Sequence, residues 1–195
     1  MKELKYQKNY ADAKSGATVL RSDSNIINKS AILENSDNVY LIMPKCHEEK
    51  ASSVVISLSD DVQVDNILVS NLEDFSANLQ SIVFYGSIDY PPSGDWIKLG
   101  SIQPQRGVRA MQKASKMETP NIGERNKEPT LMRFIKVVMH GGELTLSSHH
   151  EYYCTLTRIQ VFGKRIHSIL RSVELDEEPE KAVKDLMSLS LVLPT

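Results

Sequence analysis

The sequence is short of the features that mark several large classes of protein. Only two of its 195 residues are cysteines, Cys46 and Cys154, and only 6% are aromatic. Two cysteines are too few for a disulfide-dense scaffold or a four-thiolate zinc site. With 23 basic and 25 acidic side chains, the net charge of -2 gives no electrostatic reason to expect a nucleic-acid partner. No apolar run reaches the roughly 18 residues of a membrane span, and the opening MKELKYQKNY lacks the apolar core of a signal peptide.

Strand patterns recur before Ser172, whereas helical patterns are scarce there. The segments are β-branched or alternating, and turns rich in Gly, Pro, Asp and Ser separate them, which is typical of antiparallel sandwiches and barrels. No series of long helices alternates with them, which disfavours a doubly wound α/β sheet. The sequence therefore predicts an all-β fold. The predicted strands are Ser52–Leu58, Val62–Val69, Gln80–Tyr85, Trp96–Ile102, an edge strand Val108–Lys113, Arg133–Met139 and Tyr153–Phe162, with a turn at Ser59–Asp61.

Three segments depart from the strand pattern. Residues 1–7 are expected to form an N-terminal tail. Residues 114–129 are mostly polar or charged and predict an inserted mobile loop. In the C-terminal tail, 167–195, acidic residues and Pro179 precede an apolar pattern of helical period, so we expect a short helix over residues 179–190.

The sequence contains no recognisable catalytic or metal-ligating constellation. His149 and His150 are adjacent, and neighbouring residues of a strand point to opposite faces, so a surface loop or strand edge is favoured over a metal site. Cys154 lies within the apolar run YYCTLTRIQVF, which favours a buried or bridged cysteine over a thiol nucleophile. Zinc-protease, C-x-x-C and phosphate-loop motifs are all missing. We therefore expect no enzyme activity.

The two cysteines leave two alternatives open. Cys46 precedes the predicted strand at Ser52 and Cys154 lies in the last one, and the first and last strands of a sandwich are often neighbours. One long-range bridge and two unrelated buried thiols of a cytosolic protein are equally compatible with that spacing. Asn28-Lys29-Ser30 is a sequon for N-glycosylation, which requires a secretory lumen.

Sequence motifs distinguish between these alternatives. Residues 150–154 (HEYYC) and 158–163 (RIQVFG) resemble the H-P-E-Y-T-C … R-F-R-V-H-G ending of SUN domains. Further motifs resemble the SUN-like domain of the osteopotentia-type, or mid-SUN, proteins of the endoplasmic reticulum, and together they cover residues 8–166. These motifs are NYA at 9–11, GATV at 16–19, YL at 40–41 with Pro44 and Cys46, SNLEDFS at 70–76, YP at 90–91 with Trp96 and LG at 99–100, and RFIKV at 133–137.

The resemblance implies a β-sandwich of the galactose-binding, discoidin-like jelly-roll type, with Cys46 and Cys154 joined in a disulfide. It implies a position in the endoplasmic reticulum lumen or perinuclear space, within a membrane-anchored parent protein, where Asn28 is accessible to glycosylation. Members are linked to protein folding and quality control through a membrane-protein partner. We therefore expect a non-catalytic protein-interaction domain that binds a membrane-protein partner or an extended peptide, in folding and quality control or in membrane tethering at the endoplasmic reticulum or nuclear envelope. We also expect a monomer, because no heptad run precedes residue 8.

The resemblance also indicates candidate partner-binding residues. Tyr152 and Ser76 match the peptide-pocket tyrosine and serine of SUN domains that bind KASH peptides, and Asn71 stands where those domains have a histidine. Packing at the edge of the sandwich is the alternative role for Tyr152 and Ser76. Ser24 stands near the cysteine that links to the peptide, and it cannot form that disulfide. The stretch from Ser24 to Cys46 is shorter than the family's peptide-clamping hairpin and cation loop. No cofactor is therefore expected, and a cation in the loop before Cys46 is the alternative.

A carbohydrate- or lipid-binding discoidin-like module is the alternative function. Such modules place exposed aromatic side chains on the loops at one end of the sandwich. Tyr90 and Trp96 flank the turn Pro91–Gly94 and are the candidate ligand-loop residues.

Overall fold

The computed structural model describes residues 7–44, 46, 51–105, 108, 110–116, 130–141 and 153–165. Several predictions therefore concern residues outside the described ones: Tyr152, His149 and His150, residues 117–129 of the expected loop, the C-terminal tail and its helix at 179–190. Within the described ranges the chain forms ten β-strands and two short 3-10 helices, Ala13–Ser15 and Lys29–Leu33. The strands are β1 (Thr18–Ser22), β2 (Leu41–Pro44), β3 (Ser52–Ser70), β4 (Leu79–Ser87), β5 (Ile97–Ile102), β6 (Gln112–Lys113), β7 (Ser115–Lys116), β8 (Met132–Gly141), β9 (Tyr153–Leu156) and β10 (Arg158–Arg165).

The described strands form two antiparallel sheets. The larger has the order β1-β3-β8-β4-β5-β7, with β10 and β6 also paired to β3, and the smaller pairs β2 with β9. Along the central strands every second side chain is buried, which is the period of a strand with one face on the core. This confirms the predicted all-β antiparallel class. The fully buried set includes Val54, Ile56, Ile82, Phe84, Ile135, Val137 and Met139.

The 19-residue strand β3 connects the two halves of the larger sheet. Its first half pairs with β1 and β8, and its second half pairs with β10 and β6. The predicted turn at Ser59–Asp61 is wrong, because β3 continues through it while only the ladder to β8 shifts register. Asp61 and Asp60 instead form ion pairs across the surface with Arg133 (3.2 Å) and Arg165 (3.6 Å). The acidic pair is thus part of a strand that lies partly in solvent.

The predicted strand Tyr153–Phe162 is two strands that belong to different sheets. β9 pairs with β2, whereas β10 pairs with the second half of β3. Thr157 lies between them, and its backbone N–H donates to the carbonyl of Ser70 (3.0 Å). The chain therefore changes sheets at a buried threonine, without the glycine or proline that usually marks such a change.

Smaller differences concern the edge of the larger sheet. Among the described residues of the predicted edge strand Val108–Lys113, which are 108 and 110–113, Gln112 and Lys113 pair with Val69 and Leu68 of β3. Ala114 is buried, and Ser115–Lys116 pairs with β5. The first three residues assigned to the inserted loop therefore belong to the sheet edge. Two strands not predicted from the sequence, β1 and β2, precede β3.

The expected disulfide is present and joins the start of the fold to its end. Cys46 follows β2, and Cys154 lies in β9, the partner strand of β2. Their Cα atoms are 5.6 Å apart and 108 residues apart in sequence, and both residues are buried. Gly141, at the end of β8, packs so closely on the Cys46 carbonyl that a Cβ atom there would overlap its oxygen. The bridge is thus enclosed by the core.

Loss of the bridge is expected to cost about 4–5 kcal/mol of unfolding free energy, because it closes a loop of 108 residues. The double variant C46A/C154A tests this in denaturant titrations without reductant. Reductant should lower the unfolding midpoint of the wild type and leave that of the double variant unchanged. A wild-type midpoint insensitive to reductant, with full reduction checked by mass, would contradict the prediction.

Candidate functional site

The loop from residue 71 to residue 78, between β3 and β4, holds two of the three predicted partner-binding residues, Asn71 and Ser76. We refer to it as the β3–β4 loop. It lies against β9, because the N–H of Ala77 donates to the carbonyl of Tyr153 (2.9 Å) and Ala77 forms a bridge with Cys154. The disulfide strand is therefore the support for the loop.

A buried network of hydroxyl groups joins the β3–β4 loop to β9. Thr155 Oγ1 donates to Asn71 Oδ1 (2.9 Å) and lies 2.7 Å from Ser76 Oγ. Since the Thr155 hydroxyl has one proton and gives it to Asn71, Ser76 is the donor of the second bond. Asn71 and Ser76 thus meet at one hydroxyl, as neighbours in a single network. Ser76 is buried and its hydroxyl points into the protein, which is the packing role named as its alternative.

A second threonine fastens the beginning of the same loop. Thr157 Oγ1 accepts from the N–H of Leu72 (2.9 Å) and donates to Asn71 Oδ1 (3.4 Å). Both threonines are buried, so their hydroxyl groups would cost free energy without these partners. Neither threonine was predicted from the sequence as part of a site. Within an apolar run, the sequence pattern does not distinguish a buried polar side chain from an exposed one.

Phe75 is the most exposed large apolar side chain among the described residues, at 80% of its full exposure. The backbone on both sides of it is fixed. The Glu73 carboxylate accepts from the N–H groups of Phe75 (2.9 Å) and Ser76. Phe75 was not predicted as a site residue, although it stands within the SNLEDFS motif, because an isolated Phe in a loop usually packs inward. Here the loop is held and the ring points to solvent.

Tyr152, the third predicted partner-binding residue, immediately precedes β9 in the sequence and lies outside the described residues.

The stretch from Ser24 to Cys46 contains the 3-10 helix Lys29–Leu33 and β2, and Ala31, Ile32 and Leu33 are buried in the core. The residues of this short stretch therefore pack in the core and pair with β9.

Asn28 precedes the 3-10 helix Lys29–Leu33 and adopts a left-handed backbone conformation (φ 52°). Its side chain is exposed, and one hydrogen of its Nδ2 group bonds the Tyr40 carbonyl (3.0 Å). A glycosylated amide keeps one N–H, so this bond and a glycan are compatible.

Tyr90 and Trp96 form a packed cluster on the outer face of the larger sheet. Their ring centroids are 6.5 Å apart, and the Tyr90 ring lies 5.6 Å from that of Phe134. Lys136 Nζ lies 5.9 Å from the centre of the Trp96 ring. Phe134 and Lys136 alternate with buried Ile135 and Val137, which places the cluster on the face away from the core. Tyr90 and Trp96 are half-buried against the sheet and do not project from the loop.

The part of the chain that the structure describes contains no group of three or more His, Cys, Asp and Glu side chains arranged to hold a metal ion. It also contains no helix that is long and apolar enough to cross a membrane.

The antiparallel jelly roll defines the class of the molecule as a β-sandwich of the galactose-binding type. Its backbone is similar to that of the CBM32-3 module of a family 31 glycoside hydrolase from Clostridium perfringens, with a TM-score of 0.58 over 84% of this chain and 99% of that one. Sequence identity between the two is 9%, so the likeness concerns the fold alone.

The family to which the chain belongs follows from its sequence. The Sad1/UNC-like C-terminal family matches residues 22–165, and the chain belongs to it. It is 32% identical to SUN domain-containing protein 4 of Arabidopsis thaliana over 80% of its own length, and 29% identical to the human SUN domain-containing ossification factor over 83%. It spans 23% of the length of the first protein and 12% of the second. The resemblance to osteopotentia-type SUN-like domains is thereby confirmed.

Removing the Thr155 hydroxyl, which bonds both Asn71 and Ser76, should destabilise the domain. Thr155→Val keeps the shape of the side chain and leaves Asn71 and Ser76 without their shared partner, so we expect the free energy of unfolding to fall by about 1–3 kcal/mol. Thr155→Ser keeps the hydroxyl and loses a methyl group, and serves as the control in the same denaturant titrations. A larger loss for Ser than for Val would show that methyl packing, and not the network, matters at this position.

Proposed function

We propose that the chain is a non-catalytic, lumenal protein-interaction domain. Its partner is a membrane protein of the endoplasmic reticulum or nuclear envelope, bound in protein folding and quality control or in membrane tethering. Membership of the SUN family and the galactose-binding type of fold support a binding domain. The buried disulfide supports an oxidising compartment, because such bonds are rare in the cytosol.

The observation that carries this proposal is the solvent exposure of Phe75 on a loop whose backbone is held by hydrogen bonds. An aromatic side chain that is 80% exposed leaves a large apolar surface in water, and burial in a partner's pocket would recover that free energy. The hydrogen bonds of Glu73 and Ser76 hold its backbone in place before a partner arrives. Binding therefore orders little that is not already ordered, which is the property of an interaction hot spot.

The three predicted residues have different roles in this proposal. Asn71 and Ser76 position the β3–β4 loop through Thr155, because Asn71 Oδ1 and the Ser76 hydroxyl both bond the Thr155 hydroxyl. Tyr152 stays a partner-binding residue on the family resemblance, and in sequence it precedes Tyr153, which bonds the loop at Ala77. A partner segment would thus contact Phe75 at the β3–β4 loop.

Carbohydrate or lipid binding through Tyr90 and Trp96 is the second candidate, and it rests on their partly exposed cluster with Lys136. We rank it below protein binding because both rings are engaged with each other or with Phe134. Glycan arrays and liposome co-sedimentation with the wild-type domain would reveal this function directly.

Phe75→Ala should abolish capture of a membrane-protein partner without unfolding the domain. The measurement is a pulldown from detergent-solubilised reticulum membranes, followed by quantitative mass spectrometry with matched amounts of folded bait. We expect at least about a tenfold loss of the specific partner, as for a hot-spot aromatic residue. Tyr152→Ala should lose the same partner.

Ile27→Ala is the matched control, because Ile27 is also a solvent-exposed apolar residue, at 54%, and lies outside the β3–β4 loop. It should retain the partner. If the same proteins are recovered with Phe75→Ala as with Ile27→Ala, the interaction surface lies elsewhere and the proposal fails.

Asn28 is proposed as a glycosylation site, because its side chain is exposed and the sequon continues to Ser30. Expression of the domain behind a secretory signal should add the mass of one N-glycan, which peptide N-glycosidase removes. Asn28→Gln should carry no glycan and should otherwise migrate as the deglycosylated wild type. An unchanged mass for the secreted wild type would rule out modification at this residue.

A further inference from the structure

A groove of about 380 Å³ opens where β4 ends and where β5 and β8 begin. Its apolar lining comes from Ile88, Ile97 and Leu131, and Asp95 adds a carboxylate at the same opening. Ile88 and Ile97 are 44% and 46% exposed. They form an aliphatic surface at the end of the sandwich, in contact with solvent. The volume is within the range of sites that accept small ligands or single side chains.

This groove is distinct from the β3–β4 loop. The loop precedes Leu79, the first residue of β4, whereas the groove begins at Ser87, the last. At about 3.3 Å per residue, the ends of β4 are about 26 Å apart. The two surfaces therefore cannot share one short ligand, and the inference goes beyond the proposed function.

Among the described residues that line the groove, Asp95 alone is charged. The β4–β5 connection, residues 88–96, contains Asp89 and Asp95 and no lysine or arginine, while Lys98 follows on β5 and Lys136 lies against the Trp96 ring on the outer face. Asp89 Oδ2 accepts from Ser93 Oγ (3.0 Å), so this carboxylate helps to hold the connection in shape. Asp95 is exposed, and none of the salt bridges within the described ranges involves it. A negative charge beside an aliphatic surface complements a cation on an apolar stem.

We infer that the groove receives a lysine or arginine side chain of a protein partner. The aliphatic stem lies along Ile88, Ile97 and Leu131, and the charged head group meets Asp95. Long basic side chains combine these two properties. A sugar would instead require an aromatic face, and the rings of Tyr90 and Trp96 pack on the outer face of the sheet. The Asp95 carboxylate in the lining disfavours an anionic lipid head group at the groove.

The test uses the full chain, labelled with ¹⁵N, and the peptide acetyl-Leu-Lys-Leu-amide as the probe. Amide resonances of Ile88, Asp95, Ile97 and Leu131 should shift in a saturable manner during titration. The same peptide with an acetylated lysine should bind at least about threefold more weakly, because it lacks the charge. Equal binding of the two peptides, or no saturable shift at these amides, would overturn the inference.

Asp95→Asn should weaken binding of the lysine peptide by about threefold to tenfold, and Ile97→Ala should weaken it through loss of apolar contact. Asp89→Asn is the matched control, because it removes the same charge from the same connection while keeping an acceptor for Ser93. It should weaken binding less than Asp95→Asn. If both Asn variants weaken binding equally, only long-range attraction operates and the groove is not the site. Saturable shifts with lactose or anionic vesicles, and none with the peptide, would also refute the inference.

Discussion

The pairing of β3 with four other strands is the constraint on which the rest of the structure depends. β1 and β8 pair with its first half, and β10 and β6 pair with its second half, so both parts of the larger sheet share one continuous backbone. β9 reaches this strand through Thr157, whose N–H bonds Ser70 at the end of β3. The position of β9, and of the disulfide and the β3–β4 loop with it, therefore follows from where β3 ends.

The sequence was sufficient for the fold class because alternating burial leaves a period of two in the residues. Prediction from the sequence was wrong where the local preference of the residues differs from the structure that their tertiary contacts stabilise. Asp60 and Asp61 have turn propensity, but ion pairs on an exposed strand surface accommodate them. The sheet change at Thr157 depends on a hydrogen bond to a residue 87 positions earlier, which no local pattern encodes. The disulfide needed the family resemblance, because spacing alone allowed two free thiols.

The candidate site was only partly accessible to sequence reasoning for a related reason. Family motifs pointed to Asn71 and Ser76. A motif match, however, does not tell whether a residue contacts the ligand or supports a neighbouring residue that does. Three-dimensional contacts separate the two roles, since Thr155 and Thr157 both bond Asn71 Oδ1 and Thr155 also bonds the Ser76 hydroxyl. The exposure of Phe75 follows from this support. A loop with fewer fixed backbone groups would be free to turn the ring inward.

The two ends of β4 place a geometric requirement on any partner that uses both surfaces. Phe75 lies beyond one end and the groove at Asp95 lies at the other, about 26 Å away by the rise of the strand. A tripeptide can occupy only one of them, whereas a folded partner can engage both. Simultaneous contact would make the second event intramolecular and raise the overall affinity without any new interaction. Each surface alone can then be weak, and a partner that lacks either feature is discriminated against by the loss of the combined effect.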